Sequence, residues 1–97
     1  MDKKRIYCIV MHGEDTKTNH RWNETLACGL YFYSMEEAMV HIDFMSTDDI
    51  DYYEREDKDF ASSERTDDGY IIFFKNGAKR KIGFLPIALE EREESDI

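Results

Sequence analysis

Two thiols and two imidazoles, Cys8, His12, His20 and Cys28, fall within one N-terminal stretch. Zinc takes four such ligands tetrahedrally. Their spacing argues against a shared ion. On a strand, Cys8 and His12 stand on one face about 13 Å apart by strand rise. Two ligands of one zinc lie roughly 4 Å apart, and the paired-knuckle spacing is absent. The same residues supply a thiol and a base for nucleophilic catalysis, but no third group that would orient the base is legible. The chain has no G-x-S-x-G elbow, phosphate-binding loop or dinucleotide fingerprint. Small core cysteines account for Cys8 and Cys28 equally well. The expectation is a protein that is not an enzyme and uses no metal or cofactor.

Carboxylates are the more abundant chemistry. Asp and Glu number 22 against 13 Lys and Arg, a net charge of −9. Asp48-Asp49-x-Asp51 has the look of a calcium loop, but the glycine and the distal glutamate of an EF-hand are misplaced. Basic residues gather only at Lys3-Lys4-Arg5 and around Lys75, Lys79, Arg80 and Lys81. Phosphate binding needs a basic face, and these lysines read as solvated guards of strand edges. The field disfavours nucleic acid and anionic membranes and favours a basic partner. The charge is also concentrated. Residues 48–59 hold seven acids and two bases, residues 90–97 five acids and one base, so these two segments carry the whole excess.

The expected docking face is therefore the first of these segments. Asp48, Asp49, Asp51, Glu54, Glu56, Asp57 and Asp59 supply charge. Tyr52 and Tyr53, with Trp22 as a further candidate, supply the aromatic anchors typical of binding hot spots. The expected partner is a larger basic protein, a nuclease or another nucleic-acid-handling protein, whose cationic groove the carboxylates occupy in place of a polyanion. In size and charge, with no matched motif, the chain resembles the small acidic proteins that phages use against host nucleases, anti-CRISPR proteins and DNA mimics among them. The resemblance implies a phage-encoded inhibitor acting in the host cytoplasm, and it carries over no site residue. The alternative is a small homodimeric interaction domain, paired through a sheet edge at residues 70–75 or through an apolar helix face, whose acids serve only solubility.

The elements that must position these residues follow from periodicity. A chain of 97 residues, 41% of them hydrophobic, suits one domain with a modest core. Two cysteines make no disulfide framework, and the short apolar run from Ile6 to Met11 makes no signal peptide. The expectation is a reduced, cytoplasmic protein; no stretch reaches transmembrane length. Residues 4–12 are apolar on both alternating faces, which predicts a central strand covered on both sides. Residues 13–24 read as a polar loop or hairpin turn, and residues 25–33 as a second strand. Ser34-Met35-Glu36-Glu37 is a capping box opening a helix over 35–46, with Met35, Ala38, Met39, Ile42 and Met45 at helical spacing. The charged segment permits a short second helix near 48–57, and 61–68 reads as a loop. Residues 69–75 and 78–85 form a hairpin about Asn76-Gly77, a favoured type I′ pair, with Pro86 ending regular pairing. The fold class is α+β: a four-stranded, mostly antiparallel sheet, β-β-α-β-β, with one helix packed on a face. Residues 1–89 form the single domain and 90–97 an acidic, frayed tail.

Overall fold

The structure, a computed structural model, describes residues 5–90. Apolar alternation in the N-terminal segment builds β1, Arg5–Asp15, which turns back into β2, His20–Leu26. The helix α1, Met35–Glu56, follows. Three further strands complete the chain: β3, Phe60–Arg65, β4, Gly69–Phe74, and β5, Lys79–Glu90. All pairings are antiparallel, in the order β2-β1-β5-β4-β3. The α+β class with one helix on one sheet is as expected from the sequence, with five strands instead of four.

The helix forms for the reasons its first turn states. Ser34 is the N-cap, and its Oγ accepts the Glu37 N–H at 3.1 Å. Glu37 reaches back one residue further than a simple capping box requires, accepting the Tyr33 N–H at 3.2 Å. The expected break after residue 46 and separate second helix are corrected: one helix of 22 residues runs through to Glu56. The inward stripe continues as Ala38, Ile42, Ser46, Asp49 and Tyr53, at helical spacing. Two of these positions carry polar side chains satisfied internally, so apolar periodicity fades although the helical face does not. Ser46 is fully buried and donates to the Ile42 carbonyl at 2.9 Å.

Three strand boundaries also differ from expectation. The first hairpin is long and its return strand is residues 20–26, not 25–33. Asp15 stabilises the turn by accepting the Lys17 N–H at 2.8 Å, and a bulge opposite His12 places Glu24 at φ 58°. Residues 60–65, expected as loop, pair with β4 as an edge strand. Pro86 does not end β5. Phe84 N–H donates to the Asp68 carbonyl at 2.7 Å, so two residues on the Pro86 nitrogen points the same way, past the end of β4, where no donor is needed. The Asn76-Gly77 hairpin forms, but as a three-residue loop. Only Gly77, at φ 89°, is left-handed. Asn76 instead accepts the Ala78 N–H through its side chain at 2.9 Å, and Phe74 and Ala78 close the loop. Residues 70–75, expected as a sheet edge, are flanked by β3 and β5 up to Phe74; the edges are β2 and β3. The acidic tail falls outside the described residues apart from Glu90, the last residue of β5.

The core lies between α1 and one face of the sheet. Ile9, Tyr70, Ile72, Phe74, Ile82 and Phe84 meet Ala38 and Ile42 there, all buried. The sequence predicts β1 covered on both sides; the helix covers only one, and no second layer lies over the other face among the described residues.

Candidate functional site

Residues directly opposite in antiparallel pairs share a face, which settles where the candidate side chains stand. His20 pairs with Asp15 on the helix side and stacks on Trp22, ring centroids 5.2 Å apart. Cys8 and His12 alternate with core residue Ile9 and stand on the other face. Cys28 lies beyond β2. The thiols and imidazoles are thus divided between two faces. Among the described residues no three His, Cys, Asp or Glu side chains gather as a metal site.

The acidic segment is ordered as the C-terminal half of α1 plus the turn after it. Asp48, Asp51, Glu54 and Glu56 are exposed on the helix. Asp51 accepts from Arg55 Nε at 3.1 Å, one helical turn on. Tyr52 is also exposed, at 57%. These five share the accessible part of the helix. The other four expected site residues contact other parts of the chain. Asp49 is turned inward and accepts the Tyr70 hydroxyl at 2.9 Å. Burial pushes its carboxyl above the ordinary range, and the Tyr70 bond offsets part of that rise. Tyr53 accepts from Arg80 Nη1 and packs its ring against Phe74 and Tyr70. Asp57 and Asp59 lie past the helix and both face Lys17, with Nζ to Asp59 Oδ2 at 2.9 Å and to Asp57 Oδ1 at 3.9 Å. That hydrogen bond lowers the Asp59 carboxyl and raises the Lys17 ammonium.

A polar cluster beneath the helix holds this acidic half in place. The Arg80 guanidinium lies 5.1 Å from the Trp22 ring and 5.7 Å from that of Tyr53. Its Nε is 3.8 Å from Asp15 Oδ2, a charge contact without a hydrogen bond. Trp22, a candidate anchor by type, is therefore half-buried and engaged. Tyr70 is neutral at any ordinary pH: burial raises its hydroxyl far above the usual range, and the Asp49 charge adds to that. Further along, Arg65 bridges β3 to the helix, donating to Asp43 at 2.8 Å and to Thr47 at 3.0 Å.

Sequence reasoning left two features out of the docking face. Asp43, Glu36 and Glu37 extend the acidic surface into the first half of α1. At about 100° per residue, six of the seven exposed acids of α1, Glu36, Glu37, Asp43, Asp48, Asp51 and Glu54, span an arc of about 140° centred opposite the core, and Glu56 in the last turn lies outside it. Val40 and Phe44 lie inside that arc, 70% and 64% exposed, beside His41 and Phe32. The signal for Val40 and Phe44 was available, since they fall one helical turn apart off the buried stripe.

The full charge balance is then visible. Helix α1 carries eight acids against one base; the remaining described residues carry nine of each. Comparison with protein-family models, with curated proteins and with solved structures finds no match. No helix among the described residues is long and apolar enough to cross a membrane.

Proposed function

We propose that the protein is a non-enzymatic binding protein that occupies a cationic surface of a larger basic protein, one that handles nucleic acid. The observation that carries this reading is the concentration of the described domain's net charge on one helix, seven of whose eight acids are exposed. A helix holds charges in fixed register, so complementarity can orient a partner as well as attract it. Asp48, Asp51 and Glu54 succeed one another at about 4.5 Å of helical rise, near the rise of about 3.4 Å per phosphate along one strand of DNA.

Local stability does not account for the arrangement. Glu54 and Glu56 sit in the last turn, where the helix dipole favours bases, and only Arg55 answers it there. A local rule broken without local gain is the pattern expected at a functional surface. Tyr52, Val40 and Phe44 are the apolar side chains available as anchors within or beside the acids.

The test is capture from the native host on immobilised protein, eluted with a salt gradient. The expected result is a nucleic-acid-handling protein that leaves the column as salt rises and loses its own nucleic-acid binding when the chain is added. The quadruple variant D48K/D51K/E54K/E56K captures none of it while retaining helical circular dichroism. Equal capture by the variant overturns the reading.

A further inference from the structure

Around the β1–β5 pair, the face of the sheet turned away from α1 is apolar and bears no second layer among the described residues. Ile6, Cys8 and Val10 of β1 pair with Leu89, Ile87 and Leu85 of β5, and Leu26 of β2 joins Val10. Leu85 and Leu26 are about half-exposed, at 53% and 47%. Past the Gly83–Gly69 pair, where the His12 imidazole lies over Gly83, Ile71 and Phe73 of β4 stand on the same face. Patches of this kind on soluble chains mark interaction surfaces. Residues 6–11 of β1 and 84–89 of β5 are apolar on both sides, the composition of strands buried from both directions, yet among the described residues a helix covers one side only.

We infer that this face packs against the same face of a second copy, giving a twofold dimer with two sheets at the centre and the acidic helices outside. Charge selects this occupant. The charged side chains on the face are of mixed sign, Lys79, Lys81 and Arg21 against Glu14 and Glu64. Like faces therefore meet without strong repulsion, whereas two copies of α1 repel through seven net negative charges each. A basic partner is drawn to the helix and has no electrostatic reason to choose the sheet. The size is also adequate. The sheet is two strands wide over residues 5–9 of β1 and widens to five strands over residues 12–15, which at about 4.8 Å per strand and about 3.4 Å per residue gives a face of about 600 Å² per copy, at the lower end of the range of stable interfaces. Self-packing of one patch is the isologous arrangement most common among dimers.

Sedimentation equilibrium of the purified chain, up to about 100 µM, reads the prediction directly. The expected result is twice the chain mass, retained in high salt because the contact is apolar. Leu85→Gln and Leu26→Gln each weaken dimerisation about tenfold or more, while Phe44→Gln on the helix and the quadruple lysine variant above leave it unchanged. Should a glutamine variant lose its helical circular dichroism, Leu85→Ala at the same half-exposed site is read in its place. A monomer throughout the range overturns the inference, as does a dimer that survives the sheet-face variants. Because neither outcome involves the basic partner, failure here is distinguishable from failure of the helix as its docking face.

Discussion

Asp49 and Asp48 are neighbours in sequence with opposite fates. Asp48 faces water, while Asp49 is turned under the helix to accept the Tyr70 hydroxyl. Composition counts both as surface charge; only the position of the Tyr70 ring decides between them. The difference is measurable. Burial holds the Asp49 carboxyl above its ordinary value of 3.8, so the native state binds that proton more tightly than the unfolded chain does. Its ionisation therefore weakens the fold: stability falls as pH rises from the unfolded value through the raised native one. Asp49→Asn keeps an acceptor for Tyr70 and removes the charge. The variant is expected to have a higher urea midpoint than the parent at neutral pH, with the two curves converging in acid below the ordinary carboxylate range. A lower midpoint for the variant at neutral pH would contradict this account. Asp59 behaves in the opposite sense. Lys17 lowers its carboxyl, so its contribution is present above the ordinary value and lost as pH falls through the lowered one.

Helix α1 shows how far local signals reach. Its start is written in four consecutive residues, and the Ser34 cap forms with the bond predicted for it. Ser34→Ala is expected to cost about 1 kcal/mol in chemical denaturation; no change would mean that the Glu37–Tyr33 contact alone secures the turn. The end of the helix is less legible because Ser46 and Asp49 occupy inward positions where an apolar side chain is the usual mark. Strands β2 and β3 are hidden for a related reason. Both are edge strands with few apolar residues, and both exist because β1 and β4 present long paired edges to them. A close approach inside the sheet gives the sharpest test at this scale. A Cβ added at Gly69 would lie 2.0 Å from the Ile82 carbonyl oxygen. Backbone on both sides cannot yield cheaply there, so Gly69→Ala is expected to separate β4 from β5 and abolish cooperative thermal unfolding. A normal transition would show that the two strands can part without loss of the fold.

At the level of the molecule, one helix carries the described domain's negative charge on one side of a sheet whose other side is apolar around β1 and β5 and close to neutral overall. On the proposed readings the two surfaces take different partners and respond to different conditions. Binding through the helix is expected to weaken steeply as salt rises, because exposed charges separated by more than about 10 Å are screened at moderate ionic strength. Association through the sheet is expected to be insensitive to salt. An affinity titration of the captured partner at several salt concentrations separates them. A flat response would move the partner off the helix and leave its acids a role in solubility alone.

The sequence by itself determined the α+β class, the capped helix, the two strongest strands, the hairpin at Gly77 and the acidity of residues 48–59. Each of these is a local matter, resting on periodicity, capping bonds, turn chemistry or composition. The tertiary structure decided which acids reach solvent, joined the two halves of α1, added β3 and left one face of the sheet without a second layer among the described residues. Those outcomes depend on which strand lies beside which and on what a side chain meets across the core. Arg80, Tyr70 and Lys17 claim Tyr53, Asp49 and the Asp57–Asp59 pair across separations that no local pattern records.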